Sequence, residues 1–248
     1  MTEQSTHTTT VRTALVTGAT RGIGRAIVQD LARDHIVFVG GRSADAVQRV
    51  RDELAGLGPG TRAFTADVSS DEQVAAAWEP LRDEFEGLNV LVHSAGIAPQ
   101  ARVEEATREQ WERIFDINVI SVAQLTRLTL PQLRVAGGDV VAINSGSGFT
   151  SGPSAALYSG TKFALRALTD ALREEERENG VRVSSVHPGR VATDMQEELQ
   201  AYMGNEYHPE DWIRPEQIAA AVRTAVNATR DSQVEVISVR PSGMVNRG

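Results

Sequence analysis

Cysteine is absent from the 248-residue chain. That removes disulfides, thiolate nucleophiles, redox thiols and cysteine-ligated metals from the chemistry open to it. Aromatic residues are sparse, at 5%, and no apolar run approaches the roughly 20 residues needed to cross a bilayer. Positive charge is in deficit as well: acidic residues outnumber basic ones 33 to 25, a formal net charge of −8. Neither a nucleic-acid nor a membrane partner is expected, because no overall field draws a polyanion or an anionic surface. Lysine is the scarcest of the charged residues. Of 25 basic side chains 24 are arginine, and the single lysine, Lys162, stands four residues after Tyr158. Genome composition accounts for the scarcity but not for the position of the survivor.

What remains is an ordinary globular composition, 41% hydrophobic and 23% charged, which excludes a mainly disordered or fibrous chain. The polar, Thr-rich stretch Met1–Thr10 lacks the basic start and apolar core of a signal peptide. It reads as a flexible tail, and the protein as cytoplasmic.

After that stretch, short β-branched runs alternate with longer helical ones. The pattern predicts strands over 11–17, 36–40, 62–66, 89–93, 139–144, 181–187 and 234–239. Helices are expected over 23–33, 44–57, 70–85, 107–133, 155–179 and 215–228. Thr107 opens its helix as Thr-x-x-Gln, a capping box, and Pro215 sits near the first turn of the last helix. Residues 190–213 are expected to be irregular. Strands alternating with helices imply right-handed crossovers and a doubly wound parallel sheet of about seven strands, helices on both faces. With no linker or repeat in sight, residues 11–248 are expected to form one domain of Rossmann type.

In such a sheet ligands bind beyond the carboxyl ends of the strands. Thr17-Gly18-Ala19-Thr20-Arg21-Gly22-Ile23-Gly24 follows the first strand and opens the first helix. Glycines there let the backbone approach a pyrophosphate, whose charge the helix N-terminus stabilises. An acid at the end of the second strand would hydrogen-bond the ribose hydroxyls of NAD. The sequence has Gly41-Arg42-Ser43 instead, with Arg21 in the glycine turn. Two guanidinium forks and a hydroxyl suit a ribose phosphate, so the expected cofactor is NADP(H) rather than NAD(H). Asp67, closing the third strand, either accepts from the adenine amino group or caps the turn before Ser69 and Ser70.

Tyr158 and Lys162 share one helix face. An ammonium beside the phenol is expected to lower its pKa and fit Tyr158 for proton exchange with a carbonyl or alcohol oxygen. Ser145, thirteen residues upstream at a strand end, can donate a hydrogen bond to the same oxygen. Ser147 competes for that role. His93 and His187 also end strands, yet no carboxylate cluster accompanies them, and no metal site is expected.

Taken in order, the Thr17–Gly24 turn, Asp67, Ser94-Ala95-Gly96, Asn118, Ser145 with Tyr158 and Lys162, and Pro188-Gly189 followed by Thr193 resemble the classical short-chain dehydrogenase/reductase (SDR) family. The resemblance covers essentially the whole chain after residue 10. It implies Tyr158 as acid/base, Ser145 as carbonyl-polarising donor and Lys162 on the nicotinamide ribose. Asn118 would hold a water in a proton relay behind Lys162. Pro188, Gly189, Val191 and Thr193 would line the nicotinamide, and Arg42 matches the NADP-preferring position. The expected cofactor set is thus Gly18, Thr20, Arg21, Gly22, Ile23, Gly24, Arg42, Ser43, Asp67, Val68, Ser94, Ala95, Gly96, Tyr158, Lys162, Pro188, Gly189, Val191 and Thr193. One departure is visible: the family commonly has Asn-Asn-Ala-Gly where this chain has His93-Ser94-Ala95-Gly96. The resemblance also implies a homodimer or homotetramer built through helices 107–133 and 155–179.

The expected reaction is hydride transfer between nicotinamide and a small-molecule carbonyl/secondary alcohol pair, as in a carbonyl reductase. Residues 190–213 are the expected substrate lid, with Phe149, Pro153 and Leu157 as candidate pocket walls. Thr193-Asp194-Met195 after Pro-Gly brings to mind a 3-oxoacyl-thioester reductase, but the acidic run Glu174-Glu175-Glu176 is an unpromising face for an acidic carrier. A non-catalytic NADP-sensing regulator on the same scaffold is the remaining alternative.

Overall fold

The computed structural model describes residues 11–242; the expected tail over 1–10 lies outside the described residues. Seven strands form one parallel sheet in the order β3-β2-β1-β4-β5-β6-β7. They are β1 (Arg12–Val16), β2 (His35–Gly41), β3 (Thr61–Thr65), β4 (Val90–His93), β5 (Asp139–Ile143), β6 (Arg182–Pro188) and β7 (Val236–Val239). Strand order reverses between β1 and β4, which puts the crevice for a ligand above their carboxyl ends.

Eight α-helices occur among the described residues: α1 (Gly22–Leu31), α2 (Ala44–Glu53), α3 (Asp71–Glu84), α4 (Arg108–Phe115), α5 (Ser121–Ala136), α6 (Ala156–Glu176), α7 (Asp194–Tyr202) and α8 (Pro215–Val226). The pleat sorts the strand residues by size. Ala14, Val16, Val37, Val39, Val90, Val92 and Val141 face α1 and α8 with Ile27, Leu31, Ile218 and Val222. Leu15, Phe38 and Leu91 point the other way, against Trp78, Leu81, Leu125 and Leu133 of α3 and α5. Because both faces are covered, β4, β5 and β6 are buried along their whole length.

Two expectations are corrected. The helix foreseen over 107–133 is broken after α4 by a π turn at Asp116–Ile120, from which α5 continues. The region 190–213 is not irregular throughout, since α7 lies within it. Its ends are pinned together: Val191 bridges Ile213, and the Ala192 N–H donates to the Ile213 carbonyl at 2.8 Å. The predicted capping box at Thr107 forms, and Ser43 and Ser70 cap α2 and α3 by one side-chain hydrogen bond each.

At the amino ends of the strands, opposite the crevice, ion pairs tie the elements together. Arg182 of β6 donates from Nε to Asp139 of β5 at 2.6 Å and from Nη1 to the Ala228 carbonyl at 2.8 Å. Arg223 of α8 reaches Asp30 at 2.7 Å and Asp34 at 2.8 Å, joining α8 to the end of α1. The acidic run late in α6 belongs to this end too and is not one solvated face: Glu176 is buried and ion-paired with Arg134 at 2.5 Å. Among the described residues no helix is long and apolar enough to cross a membrane.

Candidate active site

The turn after β1 is built for close approach. Gly18 takes the left-handed conformation, φ 63°, and a Cβ there would lie 2.8 Å from the Ala95 backbone. The Thr17 hydroxyl accepts from the Ser94 and Ala95 N–H groups, both at 3.1 Å, and so fastens the β1 turn to the β4 turn across the point of strand reversal. Nothing in the sequence pattern singled out Thr17 for this. Gly22, φ 52°, faces Thr193, whose methyl would be 3.2 Å from an added Cβ.

Helix α1 differs from its neighbours at its start. Helices α2, α3 and α4 begin with a side-chain cap and an acid in the first turn; α1 has neither. Its first N–H groups and the positive end of its dipole therefore face the crevice without a side chain to neutralise them. Arg42 stands exposed at the end of β2 and helps hold the Asp67 carboxyl below its ordinary range. The larger cause of that shift is Ser69, whose Oγ and N–H both donate to Asp67, at 2.7 and 3.0 Å. Of the two readings of Asp67, the turn cap is therefore present. Ser43 likewise accepts from the Ala46 N–H at 3.3 Å as the cap of α2. Arg21 is not solitary: it pairs with Asp194, first residue of α7, at 2.9 Å. The glycine turn, the uncapped helix and the two arginines fit a dinucleotide carrying an additional phosphate.

Beyond β5 the chain makes a tight turn, Gly146–Gly148, and α6 begins at Ala156. Ser145 Oγ accepts from the Ser147 N–H at 3.1 Å, leaving the hydroxyl proton to be donated elsewhere. The rival serine thus supports Ser145 through its backbone. Ser145 also acts on the Tyr158 phenol, opposing a rise caused by burial. Lys162, only 6% exposed, donates from Nζ to the Ile143 carbonyl at 2.9 Å and lies 5.5 Å from the centre of the Tyr158 ring. Burial alone pulls its ammonium down to about 8. The expected lowering of the phenol is thus reversed in this geometry, because desolvation outweighs the Ser145 hydrogen bond.

Asn118 lies within the π turn and is 1% exposed. Its amide is fully engaged: Oδ1 accepts from the Ile97 N–H at 2.9 Å, while Nδ2 donates to the Ile97 carbonyl at 2.9 Å and to Thr161 at 3.1 Å. Asn118 therefore ties the loop after β4 to α6 beside Lys162. Thr161 and Ile97 are partners that sequence reasoning missed.

His93 is buried against the Thr126 hydroxyl at 2.9 Å, and desolvation drives its pKa to about 3. His187 is fully buried, its Nδ1 2.8 Å from the Ser145 carbonyl and its Nε2 2.9 Å from the Ser185 hydroxyl. Among the described residues no cluster of His, Asp and Glu gathers to hold a metal. Of the candidate pocket walls, Leu157 is fully buried in a core cluster with Ile114 and is no wall. Phe149 is 37% exposed and stacks on His187 at 4.4 Å. Thr193 donates to the Val191 carbonyl at 3.3 Å just beyond Pro188-Gly189.

A doubly wound parallel sheet carrying this cluster above its strand reversal defines a dinucleotide-binding oxidoreductase. The chain belongs to the short chain dehydrogenase family, whose profile matches residues 12–204. An uncharacterized oxidoreductase of Staphylococcus saprophyticus is 29% identical over 244 residues, covering 93% of this chain and 96% of the relative. The D-beta-hydroxybutyrate dehydrogenase of Rhizobium meliloti is 34% identical over 190 residues, 75% of this chain and 74% of that one. The crystal structure of an alcohol dehydrogenase from the archaeon Thermococcus sibiricus, complexed with 5-hydroxy-NADP, superposes with a TM-score of 0.84 at 29% identity, covering 93% of this chain and 97% of that one.

Proposed function

We propose that the protein is an NADP(H)-dependent reductase or dehydrogenase acting on a carbonyl/secondary alcohol pair. The observation that carries this reading is the Ser145–Tyr158–Lys162 cluster, in which the Ser147 N–H occupies a lone pair of Ser145 and leaves its hydroxyl proton free to donate. When bound, the nicotinamide supplies or accepts the hydride. Ser145 donates to the substrate oxygen and stabilises the charge that grows there. Tyr158 delivers a proton to that oxygen in reduction and removes it in oxidation. A neutral phenol, which burial favours, is the form required to donate. Lys162, held by the Ile143 carbonyl, presents its remaining N–H donors to a ribose, and Asn118 braces the wall behind it.

At the other end Arg42 and Arg21 recognise a ribose phosphate, and the uncapped start of α1 takes the pyrophosphate. The co-crystallised 5-hydroxy-NADP of the Thermococcus sibiricus relative supports this choice. Exposed Ile120 and Phe163 beside α5 and on α6 support a second copy packing there, and residues 190–213 act as the substrate lid.

Loss of reduced-nicotinamide absorbance, followed with NADPH and NADH over ketones, aldehydes, quinones and 3-oxoacyl thioesters, tests the reading. Turnover with NADPH that disappears in Tyr158→Phe supports it. An Arg42→Asp variant should then shift preference toward NADH. NADPH binding without turnover of any substrate, in wild type and variant alike, would instead favour a nucleotide-sensing regulator.

A further inference from the structure

His187 has no part in the chemistry above, yet it is the most completely enclosed titratable side chain near the Ser145 turn, at 0% exposure. Its two ring nitrogens have different partners, and these fix the tautomer. The Ser145 carbonyl at 2.8 Å can only accept, so Nδ1 carries the proton. Nε2 then accepts from the Ser185 hydroxyl at 2.9 Å, and the Asn144 amide stands behind that hydroxyl at 3.5 Å. Every donor in the file Asn144, Ser185, His187 points toward one acceptor, the carbonyl of Ser145. The Gly148 N–H donates to the same oxygen at 3.0 Å and closes the turn.

The rest of the turn is gripped from the same side. The Phe149 ring lies 4.4 Å from the His187 ring, with the Arg166 guanidinium 4.6 Å over Phe149. Arg240 donates to the His187 carbonyl at 3.0 Å and occupies the space where a side chain at Gly146 would stand. Burial and the cations Arg166, Arg240 and Lys162 all disfavour an imidazolium, so the neutral ring persists.

We propose that His187 is a positioning residue that sets the Ser145 hydroxyl on the substrate oxygen, acting as a neutral Nδ1–H donor to the Ser145 carbonyl. The proposal rests on the reductase reading above. An asparagine amide nitrogen falls close to Nδ1 of a histidine, and a glutamine amide nitrogen close to Nε2. His187→Gln should therefore lower kcat by about ten- to hundred-fold, with the KM for the carbonyl substrate and the dissociation constant for NADPH little changed. His187→Asn should recover most of that loss. A role in folding alone predicts equal damage from both variants, or none, and either result overturns the proposal. Should the variants fail to fold, 15N NMR of the histidine rings in the wild-type protein decides: an Nδ1–H resonance pattern for His187 supports the proposal, and an Nε2–H tautomer overturns it. Failure of the reductase reading looks different, for the wild type itself would then turn over nothing.

Discussion

The two ends of the sheet solve the same problem, buried polar groups at strand termini, by opposite means. At the amino ends the ties between elements are ion pairs: buried Arg182 with Asp139, and half-buried Arg223 with Asp30 and the exposed Asp34, on which the buried, neutral His35 ring rests. At the carboxyl ends they are mostly neutral. His93 meets the Thr126 hydroxyl, Asn118 the Ile97 backbone and Thr161, and His187 the Ser145 carbonyl and the Ser185 hydroxyl, while the one buried cation among the described residues there, Lys162, has a carbonyl for a partner rather than a carboxylate. An end held by ion pairs has its charge balanced within the chain. An end with one unneutralised ammonium and hydroxyl protons still to give is completed by a ligand. The difference separates holding from doing, although the two ends are built from the same strands.

The comparison can be broken at either end, and the largest expected effect is at the crevice. Tyr158→Phe removes the one acid/base group without disturbing a charge, so turnover should fall by about 10²- to 10⁴-fold while NADPH binding and the unfolding midpoint stay near wild type. Retained turnover would show that the proton travels by another route.

At the opposite end Arg182→Met should act on stability instead. It leaves the Asp139 carboxylate buried with only distant partners, a loss of about 3–5 kcal/mol in denaturant unfolding. Adding Asp139→Leu should recover a large part of it, and an additive double variant would refute the account.

A smaller effect separates neutral burial from charged burial. His93 stays neutral in the folded chain down to about 3, whereas an unfolded histidine protonates near 6.5. Between those values the unfolded state binds the extra proton, so stability falls as pH drops, by at most about 1.4 kcal/mol per pH unit from this group. In His93→Asn the difference in unfolding midpoint between pH 7 and pH 5 should shrink; the same difference in both proteins would exclude His93 as its source. Smallest of all is the exposed Arg21–Asp194 pair, joining the glycine turn to α7. Asp194→Asn should change stability by less than about 1 kcal/mol, and a larger loss would mark the pair as a structural tie.

Much of this was legible in the sequence, and unevenly so. The strands, the glycine turn, the cap at Thr107 and the approach of Tyr158 to Lys162 follow from local patterns, because each depends on residues within a few positions of one another. What stayed hidden depends on partners far along the chain. The π turn has no local signature; it accompanies the locking of the Asn118 amide onto Ile97 and Thr161, 21 and 43 residues away. The direction of the Tyr158 shift turned on how deeply the phenol is enclosed, which spacing along a helix does not report. His187 was noticed as a strand-end histidine, but its link to Ser145, 42 residues distant, exists only in the folded sheet.

The π turn at Asp116–Ile120 also sets the angular phase of everything that follows it. A π turn accommodates one more residue than an α turn, and each residue advances a helix by about 100°. Wound as ordinary α-helix with no residue removed, the same stretch would turn Leu125 and Leu133 by about 100° away from the sheet, whereas deleting one residue there would restore a regular helix with both leucines in place. The irregular turn is thus the place where the chain resets its rotation, so that one nearly continuous helix can present Asn118 to the loop after β4 and, two turns later, a leucine face to the core.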